Sequence, residues 1–141
     1  MHYIRLTSAV ALPDISGQRP FKAIVIVDDT LADEPMAREQ QTIVSKWLVA
    51  AGCLYLMSWG KGCSSWNDSV NLANLEAFQF GEIPDDQLVV TTSHANEALR
   101  DVYWYSKYTA MHPCFSLDHT VLLHLSSVDR EDEFRAEYAQ V

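Results

Sequence analysis

The 141 residues of this chain, 48% of them hydrophobic, are enough to form a single domain with a buried core and exclude a disordered protein. The longest apolar stretch, residues 48–57, is shorter than the roughly 20 residues that span a bilayer, so we expect no membrane segment, and the N-terminus lacks a signal-peptide pattern. Residues 76–141 carry 12 acidic and 4 basic side chains, so most of the net charge of −9 lies there, which disfavours nucleic-acid binding and favours a basic partner.

The cysteines indicate a reducing environment. Cys53, Cys63 and Cys114 are odd in number and have no C-x-x-C spacing, so neither a disulfide framework nor a zinc site is expected. Reduced thiols are typical of cytoplasmic proteins. We therefore expect a cytoplasmic protein, with no metal and no cofactor.

Two strands are predicted at the start of the chain. Residues 3–7 alternate weakly and form a short first strand. Residues 21–27 are a nearly continuous apolar, β-branched run, which is typical of a strand buried on both faces of a parallel sheet. No crossover helix is predicted between these strands, which leaves an antiparallel edge position open for the first.

The rest of the chain alternates between helices and strands. Asp33 is the predicted N-cap of a first helix that ends at Gly52, and the strand of residues 53–59 follows. Ser65-x-x-Asp68 predicts a capping box for the second helix. A strand at 88–92, a helix that starts within 93–97, a strand at 120–125 and a short final helix complete the pattern.

This order predicts one α/β domain over residues 1–141. Strands that alternate with helices indicate right-handed crossovers and a mostly parallel sheet of about five strands with helices on both faces, as in Rossmann-like and flavodoxin-like folds. Ligands of such sheets bind beyond the carboxyl ends of the strands.

The residues that follow the predicted strands form a polar rim at this edge of the sheet. Four of them have side chains suited to acid, base or nucleophilic chemistry and are the candidate catalytic residues: Asp28, Lys61, Cys63 and His94. The other members are candidates for holding a ligand: Asp29, Trp59, Ser64, Ser65, Trp66, Asp68, Asn96 and Glu97.

Each candidate also has a structural explanation. Adjacent aspartates on a strand point to opposite faces, so Asp28 and Asp29 are more typical of a turn than of one site. The loop of residues 59–66 leads to a helix N-terminus, where it could bind an anion or form a plain capped turn. Cys63 would need His94 as its base to act as a nucleophile. The sequence contains no GxxxxGK[ST], GxGxxG, GxSxG or HExxH motif.

Aromatic side chains are unusually dense in the third predicted helix. Trp104, Tyr105 and Tyr108 cannot all face the core if Val102 and Tyr103 do so, because a helix buries one stripe. Together with Asp101, these three side chains are the predicted contact surface for a protein partner. The alternative is that they pack on the ends of the sheet or on the final helix.

Two motifs resemble a known group of proteins. The segments WGKGCSSWNDSV (residues 59–70) and TTSHANEAL (residues 91–99) are similar to a family of short bacterial α/β proteins of unsettled function, and the resemblance covers roughly residues 20–126. It implies a bacterial, cytoplasmic origin and a rim that includes Trp59, Ser64, Ser65, Trp66, Asp68 and His94. It implies no activity.

Two functions are therefore compatible with the sequence. The first is a small acidic domain that docks on a larger basic protein, as an immunity-like inhibitor or a subunit of a bacterial complex. The second is a small enzyme or ligand-binding domain that uses the polar rim. The acidic second half of the chain and the surplus of aromatic side chains favour the first.

Overall fold

The structure is a computed structural model that describes residues 1–7, 11–27 and 38–141. The strands of this part of the chain are β1 (His2–Leu6), β2 (Phe21–Val27), β3 (Cys53–Gly60), β4 (Val90–Ser93) and β5 (His119–Leu125). Its helices are α1 (Arg38–Ala51), α2 (Ser64–Ala77), α3 (Leu99–Tyr108) and α4 (Glu131–Ala139). Single 3₁₀ turns lie at Ser16–Gln18 and Asp85–Gln87. Asp28, Asp29 and Asp33 fall outside the described residues.

The strands form one parallel sheet in the order β1-β5-β2-β3-β4. This confirms the predicted α/β class with five strands. The antiparallel orientation left open for the first strand is wrong, because β1 pairs in parallel with β5. In this pairing Tyr3 lies opposite Leu122. The stretch between β1 and β2 is 14 residues long, which is enough to carry the chain back to the same end of the sheet.

The strand β2 is the centre of the sheet, with β5 on one side and β3 on the other. Its side chains alternate between the two faces. Phe21, Ala23 and Val25 face one core, Ile24 and Ile26 face the other, and all five are almost completely buried. Residues 21–27 therefore have the two-sided burial that their apolar run predicts.

Each face of the sheet is covered by a pair of helices. Val44 and Leu48 of α1 pack with Val70 of α2 on the first face. Val102 and Phe134, from α3 and α4, pack on the second face. The helices on both faces were predicted from the order of the elements. No helix of the described residues is both long and apolar enough to cross a membrane.

Three predicted boundaries are wrong. The helix α2 begins at Ser64, so Ser65 lies inside its first turn and donates its hydroxyl hydrogen to the Gly62 carbonyl instead of capping free N–H groups. The helix α3 begins at Leu99, because residues 94–98 form a turn. The strand β4 begins two residues later than predicted, because the Asn74 side chain binds the backbone on either side of Leu88.

The fold makes a prediction about thiol reactivity. Cys53 and Cys63 are buried and Cys114 is exposed, and burial raises the pKa of the Cys53 thiol to about 12. Because the exposed thiolate is the reactive species, Ellman's reagent at pH 8 should react rapidly with one thiol per chain. The Cys114→Ser variant should remove this fast phase, and denaturant should expose the two remaining thiols. A second fast thiol in the native protein would contradict the burial of the strand β3 and of the start of α2.

Candidate functional site

The carboxyl ends of the parallel strands lie along one edge of the sheet, and the loops that leave β3 and β4 diverge there. The first loop leads to α2 on one face, whereas the second leads to α3 on the other. Diverging loops leave a gap above the sheet edge, where open α/β proteins bind their ligands. The predicted rim residues in the described part of the chain lie at the end of β3 or follow β3 and β4.

On the α1/α2 face, four side chains form two polar pairs, of which the first is buried. The Ser58 hydroxyl donates a hydrogen bond to the Asn67 side-chain oxygen, and the Cys63 sulfur lies 3.5 Å from the Ser93 hydroxyl oxygen. These contacts tie the end of β3 to the first turn of α2, and that turn to the end of β4. The Asn67 side-chain nitrogen is buried and has no hydrogen-bond partner among the residues that the structure describes.

On the α3/α4 face, the turn after β4 folds His94 back over the sheet. The His94 Nε2 atom lies 2.8 Å from the Thr92 hydroxyl oxygen, and its Nδ1 atom contacts a Glu97 carboxylate oxygen. His94 is only 5% exposed. Carboxylate, imidazole and hydroxyl follow one another in the order that activates a hydroxyl in hydrolase triads.

Two tyrosines complete this polar network. The Tyr105 ring meets the His94 ring edge-on, with centroids 4.7 Å apart, and the Tyr105 hydroxyl lies 2.6 Å from the Tyr55 hydroxyl. Burial, and secondarily the hydrogen bond to Tyr105, raises the pKa of Tyr55. Tyr55 is therefore a neutral hydroxyl at physiological pH, and the network holds His94 in a fixed orientation.

The structure does not bring the predicted nucleophile and base together. Cys63 contacts Ser93, and both ring nitrogens of His94 are engaged by Thr92 and Glu97. Among the described residues, no hydrogen bond joins Cys63 to His94. The thiol is also completely buried, so a substrate cannot reach it without a rearrangement of the loop.

The remaining rim candidates are distributed over several environments. Trp66 is part of the core beneath α2, and Ser64, Ser65 and Asp68 are exposed on that helix. Trp59, Lys61 and Asn96 line a separate cleft of about 670 Å³ on the α3/α4 side, whose lining includes neither Thr92 nor His94. The rim is therefore not one assembled site. Within the described part of the chain, no three His, Cys, Asp or Glu side chains are grouped so that they could hold a metal ion.

Three of the four residues predicted to contact a partner, Asp101, Trp104 and Tyr108, are exposed on α3. Trp104 is 53% exposed and Tyr108 is 55% exposed, and their ring centroids lie 5.4 Å apart. Asp101 is exposed one turn earlier on the helix. Tyr105 differs from this prediction, because its ring packs on His94 and its hydroxyl is bonded to Tyr55.

The sequence could have indicated that Thr92 lies beside His94. Thr92 and His94 are two residues apart at the end of a strand, so their side chains emerge on the same face. Arg130 and Tyr55 were also missed, because they reach the carboxyl edge or its network only through the packing of α3 and α4. A pattern within one element does not reveal such contacts.

The His94 network predicts a measurable contribution to stability. His94→Ala would remove a buried ring that packs on Tyr105 and would leave the Thr92 hydroxyl without this partner. We expect the free energy of unfolding to fall by about 1–3 kcal/mol in urea titrations, as for other buried hydrogen-bonded groups. Glu97→Ala, which removes an exposed carboxylate, should cost less. A His94→Ala protein as stable as wild type would contradict the network.

Comparisons with known proteins identify a family but no activity. No curated protein and no solved structure matches the chain. One family model, described as a domain of unknown function (DUF7684), matches residues 1–141. That match covers the whole sheet, both helix pairs and the carboxyl edge with its His94 network. The chain therefore belongs to the DUF7684 family.

Proposed function

We propose that this chain is a protein-binding domain that docks on a basic partner through the outer side of α3. The observation that carries the proposal is the pair formed by Trp104 and Tyr108, which pack against each other while more than half of each side chain faces solvent. Exposed aromatic side chains of this size cost free energy in water unless a partner covers them.

The composition of this pair is that of binding hot spots. Tryptophan and tyrosine are over-represented among the residues that contribute most to protein–protein affinity. Further apolar side chains are exposed just after α3, at Met111 and Phe115. The His112 ring lies 5.9 Å from the Phe115 ring, and its Nε2 atom lies 2.9 Å from the Leu88 carbonyl oxygen. Leu88 is also an exposed apolar residue. Apolar surface thus continues from the outer side of α3 towards the amino ends of the strands.

The neighbouring helix supplies the charge. Lys107 of α3 donates to the Tyr138 and Val141 carbonyls, so the C-terminal end of α4 lies beside the C-terminal turn of α3. The first turn of α4 carries Glu131, Asp132 and Glu133. A partner that covers Trp104 and Tyr108 and extends along α3 to the exposed Asp101 and along α4 to its first turn would meet acidic side chains, so complementarity requires lysine or arginine on that side of its apolar contact.

The cellular setting is part of the same proposal. All three cysteines are free, and Cys114 is exposed. An exposed thiol persists in a reducing compartment, which supports a cytoplasmic location.

A second candidate function, an enzyme that uses the polar rim, is favoured by one observation. The contacts of Glu97, His94 and Thr92 place a carboxylate, an imidazole and a hydroxyl in series. Such a series can withdraw a proton from the hydroxyl. However, the cleft at this edge is lined by neither Thr92 nor His94, so no space for a substrate lies beside the hydroxyl there. We therefore rank the enzyme second.

The docking proposal predicts the effect of removing the aromatic pair. The Trp104→Ala/Tyr108→Ala double variant should lose at least about tenfold in affinity for a basic protein that the wild type retains stoichiometrically, because hot-spot truncations cost 2 kcal/mol or more. The measurement is capture from a lysate of the native host, followed by calorimetric titration of the purified partner. Affinity should also fall as salt is raised, because the charges on both sides are screened.

Phe80→Ala provides the matched control, since Phe80 is an exposed aromatic side chain that follows α2. This variant should bind like wild type. The proposal fails if the wild type retains no stoichiometric partner, if the partner's surface is acidic, or if the double variant binds as tightly as Phe80→Ala.

A further inference from the structure

A cleft of about 670 Å³ opens at the carboxyl edge of the sheet on the α3/α4 side. Ile26 and Phe134, both almost completely buried, form its apolar bottom together with Leu99. Trp59 and the loop that carries Lys61 form its rim. Pockets that hold small molecules have volumes of roughly 300–1,000 Å³ and combine apolar walls with a few polar groups. This cleft has both properties.

The backbone of the β3–α2 loop is shaped to leave the cleft open. Gly60 has a φ of +108°, and a Cβ atom at this position would lie 2.2 Å from the Val27 carbonyl oxygen. Only glycine allows the end of β3 to run this close to the end of β2. The indole N–H of Trp59 donates to the Glu97 carbonyl at 2.7 Å, which fixes the ring between the loop and the turn before α3.

The charges of the lining are separated along the cleft. Lys61 is exposed at the rim and takes part in no ion pair or hydrogen bond with the residues that the structure describes. Arg130 stands in the wall, where it is paired with Glu133 and lies over the Phe134 ring. Glu137 lines the cleft about 10 Å further along α4, because seven helical residues rise about 1.5 Å each. Among the described lining residues, Lys61 on the β3–α2 loop and Glu137 on α4 thus carry opposite charges on different elements of the cleft.

We propose that this cleft binds a phosphate ester of mononucleotide size that carries an aromatic ring, with its phosphate at Lys61 and an amino group at Glu137. A lysine ammonium is a strong phosphate ligand, and a carboxylate accepts hydrogen bonds from an amine. The apolar bottom formed by Ile26, Leu99 and Phe134 takes the ring. This site is separate from the docking surface on the outer side of α3, so either proposal can hold without the other.

Adenosine monophosphate is the probe, because it carries a phosphate on its ribose and an exocyclic amine on the far side of its flat adenine ring system. In an NMR titration, the indole N–H signal of Trp59 should shift, while that of Trp47, which donates to the Pro13 carbonyl on the other face, should not. Adenosine, which has no phosphate, and inosine monophosphate, which has a carbonyl in place of the amine, should both bind at least about tenfold more weakly.

Two variants test the two ends of the cleft separately. Lys61→Met should weaken adenosine monophosphate about tenfold or more and abolish its advantage over adenosine, whereas Lys61→Arg should retain most of the affinity. Lys46→Met is the matched control, because Lys46 is an exposed lysine paired with Glu76 on the other face of the sheet. Glu137→Gln should reduce the preference for adenosine monophosphate over inosine monophosphate.

Three results would overturn the proposal. The first is the absence of any shift of the Trp59 signal with millimolar adenosine monophosphate. The second is binding by Lys61→Met that equals binding by Lys46→Met. The third is binding of inorganic phosphate as tight as that of the nucleotide, which would show an anion site without a role for the apolar bottom or for Glu137.

Discussion

Burial of β2 on both of its faces is the constraint on which the rest of the structure depends. Its backbone is paired with β5 on one side and with β3 on the other, so every neighbour is fixed relative to this strand. Its side chains alternate between the two cores and are nearly all excluded from water. At about 25 cal/mol per Å² of buried apolar surface, this two-sided burial stabilises both cores at once.

One polar residue in this strand links it to α3. Lys22 is buried, and its ammonium group donates to the Ser106 carbonyl in the last turns of that helix. Burial lowers the pKa of Lys22, and the nearby Asp118 opposes this effect. A cation beside the C-terminal end of a helix is favoured by the helix dipole. This contact fixes where α3 crosses the sheet, and therefore where its N-terminal end lies relative to the carboxyl edge.

The sequence predicted the fold well because its signals are local. An apolar run of seven residues and the alternation of strands with helical stripes were sufficient to predict a parallel sheet with helices on both faces. The order of the strands was not predictable in this way. The partner of β1 is β5, which lies more than 100 residues away, and no local pattern reports that pairing. The error about β1 came from treating neighbours in sequence as neighbours in the sheet.

The sequence indicated which residues lie near the carboxyl edge but not which of them contact one another. Parallel strands place Trp59, Cys63 and His94 at one edge, as expected, yet the partners of these residues depend on rotations within loops. Because α3 begins at Leu99, residues 94–98 form a turn, and this turn directs His94 towards Thr92 and Glu97. Starting α2 at Ser64 buries Cys63 against Ser93. The exact residues at which α2 and α3 begin therefore determine which side chains are in contact at this edge.

The helix α3 separates the two surfaces on which the proposals rest. Its inner side contributes Val102 and Tyr103 to the core, and Leu99 at its first turn reaches the cleft, whereas Trp104 and Tyr108 face outwards. If nothing else fixed the orientation of α3, the helix could rotate about its axis and bury its aromatic side chains in the core. Here Val102, Tyr103 and Ser106 already occupy the inner stripe, and Lys107 holds the end of α4 against the helix. The orientation of α3 is therefore determined by its buried side, and exposure of the aromatic pair is a consequence of that packing.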